Sequence, residues 1–126
     1  MSYTPREYKC LGILKSANLN STADQAIGIA GSQKYIVDKI VATNTSTTLA
    51  TSIAAGGFYT GASKSGTTIV GAGQLYTALT GATKFSALTL ALTTDTLTAQ
   101  TIYFSLTTAH GTAATIDLYV WGYVLE

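Results

Sequence analysis

Apolar side chains recur at every second position through the last quarter of the chain, and no other feature restricts the fold as strongly. Ile102, Phe104 and Leu106 alternate with Thr101, Tyr103, Ser105 and Thr107; Ile116, Leu118, Val120 and Val124 alternate with Asp117, Tyr119, Trp121 and Tyr123. A period of two is the repeat of a strand that turns one face to a core and the other away from it. Only Thr108 to Ala114, with His110 and Gly111, separates the two runs. They are expected to pair as a hairpin.

Six further segments carry the same signal less strongly. Phe85 to Leu92 places Leu88, Leu90 and Leu92 on one face and Ala87, Thr89 and Ala91 on the other, and leaves through the turn Thr93-Thr94-Asp95. Lys34 to Asn44 is rich in β-branched residues and holds Asp38 and Lys39 side by side, so one should point to each face and neither face can be wholly dry. Tyr8 to Leu14, Gln25 to Ala30, Gly57 to Ala62 and Thr67 to Val70 are bounded by Gly, Ser, Asn or Asp. Gln74 to Leu79 reads as a brief helical turn. Elsewhere no segment sustains a 3.6-residue period over ten residues, and the 23 threonines and 12 glycines disfavour helix.

About eight short strands separated by turns indicate an all-β chain: a single-domain antiparallel β-sandwich, most simply a jelly roll or related Greek key. The expected layout is an N-terminal arm and first strand over residues 1–15 and the sandwich over residues 16–126. At 126 residues one domain is expected, and a mean hydropathy of +0.30 places the chain well away from disorder. Thr60-Gly61-Ala62 and Thr80-Gly81-Ala82 recur without a fixed repeat.

Only 13 residues carry a formal charge, 10% of the chain, where an ordinary domain has about 25%. Thr, Ser, Ala, Gly and Tyr must cover the outside instead, a surface suited to protein contact. The net charge is +1 and the seven basic residues are scattered singly, which gives no footprint for nucleic acid. Cys10 is the only cysteine, so no intrachain disulfide forms and folding in a reducing compartment is the natural expectation. Residues 1–10 lack the layout of a secretory signal, and no run of about 18 apolar residues exists, so neither export nor a membrane-spanning helix is expected.

Little in the chain promises catalysis. His110, the sole histidine, sits beside Gly111 with no acid or cysteine nearby in sequence, and is expected as a solvated turn residue. Six scattered acids and one cysteine provide no metal-ligand spacing. Gly71-Ala72-Gly73 lacks the third glycine of a dinucleotide loop, Tyr76 standing in its place, and Gly61-Ala62-Ser63-Lys64-Ser65 fits neither a phosphate loop nor a nucleophile elbow; both read as turns. Asn20-Ser21-Thr22 and Asn44-Thr45-Ser46 match the glycosylation sequon but read as turn residues. No catalytic, cofactor-binding or metal site is expected.

The side of the last two strands opposite the aliphatic one carries Tyr103, Tyr119, Trp121 and Tyr123. Such rings pack under another layer, form a subunit interface, or stack on sugar, the last needing carboxylates or amides of which only Asp117 is evident.

The succession KYIVDKIVATNTSTTL, GGFYTGASKSGTTIV, LYTALT, FSALTLAL and IYFSLTTAHGTAATIDLYVWGYVL, over Lys34 to Leu125, resembles in pattern and composition the small jelly-roll decoration (cement) proteins of bacteriophage capsids. The resemblance implies a non-enzymatic virion protein, made in the host cytoplasm, without cofactor, that sits as a homotrimer on the outside of the major capsid protein shell and reinforces it. Charge concentrates at the start of the chain, where Arg6, Glu7, Lys9 and Lys15 are the expected capsid contact. Tyr103, Tyr119, Trp121 and Tyr123 are the expected subunit interface. The alternative is a fibre or tail-associated sandwich that recognises host-surface carbohydrate through Ala54 to Ser65 and Thr108 to Ala114.

Overall fold

The computed structural model describes residues 5–29, 34–82, 84–92 and 96–125, with side chains described from Glu7 onward. Among the described residues it contains eight strands and no helix: β1 (Pro5–Asn18), β2 (Gln25–Gly28), β3 (Tyr35–Thr43), β4 (Ala55–Gly61), β5 (Ser65–Val70), β6 (Phe85–Ala87), β7 (Thr101–Thr108) and β8 (Thr115–Leu125). They form two four-stranded antiparallel sheets, β1-β8-β3-β6 and β2-β7-β4-β5. The pairing is nested: β4 meets β5, β3 meets β6, β2 meets β7 and β1 meets β8. Seven of the expected strands lie about where expected, the Phe85 to Leu92 run is a strand only over its first three residues, and the all-β sandwich is the architecture of the chain.

Its two strongest strands do not pair with each other. β7 lies at the centre of the second sheet and β8 at the centre of the first, and their aliphatic faces meet across the core: Ile102, Phe104, Leu106, Ile116, Leu118 and Val120 are all fully buried. The expected hairpin is therefore corrected. Two strands that each carry a full stripe of large apolar residues bury more surface face to face than side by side. The connecting loop crosses from one sheet to the other, pinned by His110 N–H to the Leu19 carbonyl (2.7 Å) and by Leu19 N–H to the Ala114 carbonyl (2.9 Å).

Bulges set which side chains reach the core. In β3 the register steps from Val37 opposite Gly122 to Lys39 opposite Trp121, leaving Asp38 as an extra residue. One extra residue reverses the alternation, so Asp38 and Lys39 both face solvent while Val37 and Ile40 are both fully buried. The expectation that the two charges point to opposite faces fails for this reason. In β1 a similar step between Cys10 and Gly12 turns both Leu11 and Gly12 inward, and a third, between Leu14 and Ala17, restores Ala17 to the core. Residues 5–15, expected as an arm and first strand, are thus hydrogen-bonded to β8 along their length and integral to the first sheet.

Two glycines allow close approach. A Cβ on Gly122 would lie 2.0 Å from the Ile36 carbonyl oxygen, and one on Gly57 would lie 1.8 Å from that of Val70; both strands can coil tightly against their neighbours because these atoms are missing. The Phe85 to Leu92 run divides. Its first three residues extend the first sheet as β6, then Leu90 bridges Val70 and Ala91 N–H bonds the Ile69 carbonyl (2.8 Å), so the segment closes one open side of the sandwich. Thr93, Thr94, Asp95 and Ala30 lie outside the described residues. The stretch Gln74 to Leu79 is not helical: Leu75 bridges Ala55, and a turn bonds Leu79 N–H to the Tyr76 carbonyl (3.2 Å). Tyr76 enters the core edge-on to Phe104, its hydroxyl donating to the Gly56 carbonyl (2.9 Å), and burial raises its phenol above the ordinary value.

Candidate functional site

The outward side of the first sheet is assembled by register. Reading across the strands, Tyr8, Tyr123 and Ile36 form one row, Cys10, Trp121 and Lys39 the next, Ile13, Tyr119, Val41 and Ala87 a third, and Asp117, Thr43 and Phe85 a fourth. Side chains opposite one another on one face are in contact range, so an apolar and aromatic surface runs over all four strands. Ile13, Phe85, Tyr8 and Tyr123 are among the large hydrophobic residues most exposed in the molecule.

Rings are organised at its centre. Tyr8 and Trp121 lie nearly parallel, 15° apart with centroids at 6.1 Å, and Tyr123 meets Tyr8 edge-on at 4.8 Å. The Tyr8 hydroxyl donates to Asp38 Oδ2 (2.9 Å); desolvation, then the Asp38 carboxylate, push this phenol up to about 12, so it stays a donor at neutral pH. Tyr8, Lys39, Val41, Tyr119 and Trp121 line a shallow cavity of about 420 Å³ over these rings.

Three of the four expected interface rings, Tyr119, Trp121 and Tyr123, share this surface. Tyr103 does not: it lies on β7, on the outward side of the other sheet, separated by the thickness of the sandwich. Its assignment to one surface with the other three followed from the hairpin and falls with it. Tyr8 takes its place. Nothing local in the sequence distinguishes Tyr8; only the register that sets it opposite Tyr123 does.

The expected capsid-contact residues do not converge. Glu7 and Lys9 form a loose surface pair (3.8 Å) near one end of β1, whereas Lys15 lies near the other end, about 20 Å away at 3.3 Å per residue. Lys15 donates to the Tyr119 hydroxyl (2.8 Å) and reaches Asp117 Oδ2 (3.4 Å). The side chain of Arg6 lies outside the described residues.

Asp117 holds the end of the face together. Although on the outward side of β8, it is only 5% exposed. Its Oδ1 accepts the Ser16 N–H (2.8 Å) and its Oδ2 the Asn44 amide (3.0 Å). Ser16 and Asn44 both have φ of 53°, a left-handed backbone that non-glycine residues adopt at a cost. The carboxylate therefore fixes the bulge of β1 and the exit of β3 from the central strand between them. Burial alone would raise this carboxyl, but the Ser16 N–H, Asn44 and Lys15 outweigh it and hold it below the usual value. A depressed carboxyl contributes stability above its unfolded pKa of about 3.9 and loses it as pH falls through the lower folded value. Asp117→Asn would set an amide against the Asn44 amide and Lys15. It is expected to cost about 1–3 kcal/mol at neutral pH, with the gap to the native protein narrowing below about pH 4. Urea titrations at pH 7 and pH 3 check this; an equal gap at both would show that ionisation contributes nothing.

His110, expected as a solvated turn residue, is a partly exposed loop residue that also has a side-chain partner. Its Nδ1 lies 2.7 Å from Ser52 Oγ, which also accepts the Ala54 N–H (3.1 Å). No local signal marks this pair, whose members stand 58 positions apart. Ser52 is only 7% exposed, and neither residue lines the aromatic cavity or the hydroxyl-rich cleft of about 330 Å³ bounded by Thr43 to Thr48, Thr80, Gly81 and Lys84. The bond ties the loop before β4 to the loop before β8. Among the described residues no group of three or more His, Cys, Asp or Glu could hold a metal ion, and no helix is long and apolar enough to cross a membrane.

The chain matches no protein-family model, no curated protein and no solved structure.

Proposed function

We propose that the protein is a non-enzymatic structural protein of a phage virion, a decoration protein that binds the outside of the major capsid protein shell as an oligomer and stabilises it. The observation that carries this reading is the aromatic and aliphatic surface over all four strands of the first sheet, on a chain with few charges to desolvate. An exposed apolar patch of that extent marks a contact surface, and large amphipathic rings with few charges are the composition of protein interfaces. The nested strand pairing supports reading the sandwich as a jelly roll, in keeping with the resemblance of the sequence to capsid cement proteins. The exposed ends of Glu7 and Lys9 are the proposed shell contact, and Tyr8, Tyr119, Trp121 and Tyr123 the proposed subunit contact.

Binding that occurs only on the assembled shell stabilises the shell by mass action over many copies. Shells of the major capsid protein from the same genome, incubated with the purified protein, are therefore expected to take it up to saturation and to resist heat disruption better. The double variant Glu7→Lys/Lys9→Glu should fold normally, since the native pair is exposed, and should bind shells more weakly. Shells that ignore the native protein would end this reading.

One observation favours a second reading. The near-parallel Tyr8 and Trp121 rings form a platform of the kind on which sugars stack, with Asp38 and Lys39 at its rim as polar partners. A carbohydrate-binding fibre or tail module would show binding on a glycan array that Trp121→Ala removes.

A further inference from the structure

We infer that the outward face of the first sheet is covered by a second copy of this chain, packed face to face about a two-fold axis. The inference rests on the reading of this face as a subunit contact, and replaces the trimer implied by the resemblance with a pair.

Edge-to-edge association is obstructed first. β1, at one edge of the sheet, carries three register irregularities, between Pro5 and Glu7, Cys10 and Gly12, and Leu14 and Ala17, while β6 at the other edge has only three residues. Bulges and short strands are what prevent a sheet edge from templating another chain. A partner must therefore meet the face.

The face is large enough to hold a copy of itself. Strands of 14, 11, 9 and 3 residues at about 3.3 Å per residue, set about 4.8 Å apart, cover roughly 590 Å² on each copy. Two such faces would bury about 1,200 Å², the lower end of specific interfaces.

Charge also favours a like partner. Lys15 is tied to Asp117, and Lys39 stands beside Asp38, so these four groups sum to zero. Two copies meet without repulsion, whereas a strongly charged partner would find no complement. A two-fold contact uses the same patch on both subunits; a ring of three needs a second, different patch. The outward side of β7 offers Thr101, Tyr103 and Thr107, with Ser105 fully buried between them, so two hydroxyl-bearing threonines and one ring stand there rather than a matching apolar surface.

Sedimentation of the full chain over a wide concentration range is expected to show a monomer–dimer equilibrium. Trp121, the sole tryptophan, lies near the middle of the face, and its emission should shift to the blue as the dimer forms. Ile13→Glu and Phe85→Glu alter residues 49% and 64% exposed, so the monomer should keep its circular dichroism and melting temperature. Each is expected to weaken dimerisation about tenfold or more. Ile53→Glu, in the loop before β4 and off this face, should leave it intact. A monomer at every concentration, a trimer, or a dimer that only Ile53→Glu disrupts would overturn the inference, as would a glycan that binds the face of a strictly monomeric chain. Shell occupancy measured on the same samples separates the two claims: a dimer that ignores shells keeps the pairing and removes the virion role, and a shell-binding monomer does the reverse.

Discussion

Phe104→Ala is expected to destabilise the protein by about 3–5 kcal/mol, the range for removing a buried aromatic ring. Phe104 is fully buried on the central strand of the second sheet, tilted against Phe58 with centroids at 5.2 Å and meeting Tyr76 edge-on at 6.0 Å. Aromatic pairs contribute about 0.5–1.5 kcal/mol beyond the area they bury, and this ring takes part in two. Collapse into the space is hindered, because Tyr76 is held by its hydroxyl bond to the Gly56 carbonyl (2.9 Å) and Phe58 stands on β4 in register with Phe104. Domains are stable by about 5–15 kcal/mol, so the loss is a large share of the total. Chemical denaturation of the variant checks it. Phe104→Leu, which leaves a smaller void, should recover more than half of the loss; a cost below about 1 kcal/mol for Phe104→Ala would mean that the core relaxes freely.

Phe104 also shows what a sequence can disclose about a fold of this kind. Its burial follows from the alternation of Ile102, Phe104 and Leu106 alone, and alternation marks β7 and β8 as clearly, whereas β4 and β5 are marked by the turn residues that bound them and β6 keeps only the first three residues of the expected run. Period-two patterning reports which side of a strand is dry, because burial is decided residue by residue. It does not report which strand lies alongside. β7 and β8 look like a hairpin because they are adjacent in the chain, and the nested pairing that separates them depends on all eight strands together. Bulges are hidden for a related reason: Asp38 and Lys39 look like an ordinary alternating pair, and the extra residue is defined only against Gly122 and Trp121 on the neighbouring strand. The candidate surface was half legible. Tyr119, Trp121 and Tyr123 were visible as one stripe on one strand, while Tyr8, Ile13, Val41 and Phe85 joined them through pairings over long sequence separations. Asp117 could be seen as a lone acid among apolar neighbours, but not as the acceptor for two left-handed residues of flanking strands.

Those long-range pairings make removal of residues 1–15 the most disruptive change to be expected. The segment holds Leu11, which is fully buried, and Leu14, which packs against the core, together with the ladder from Pro5 to Leu14 that shields one side of β8. Loss of two packed leucines and an edge strand is worth on the order of 5 kcal/mol or more, comparable with the whole stability of a small domain. The truncated chain is expected to show no cooperative thermal transition by circular dichroism. Failure of such a chain to bind shells would then report unfolding and say nothing about contact, which is why the exposed Glu7 and Lys9 are the better probes. Because the missing piece is one continuous strand with its own apolar residues, a peptide of residues 1–18 should restore a folded sandwich when supplied separately, by adding a strand to the open side of β8. Recovery should fail with Leu11→Asp in the peptide, which would place an unpaired charge in the core. A truncated chain that melts as cooperatively as the intact one, at the same temperature, would show instead that β1 is dispensable to the sandwich.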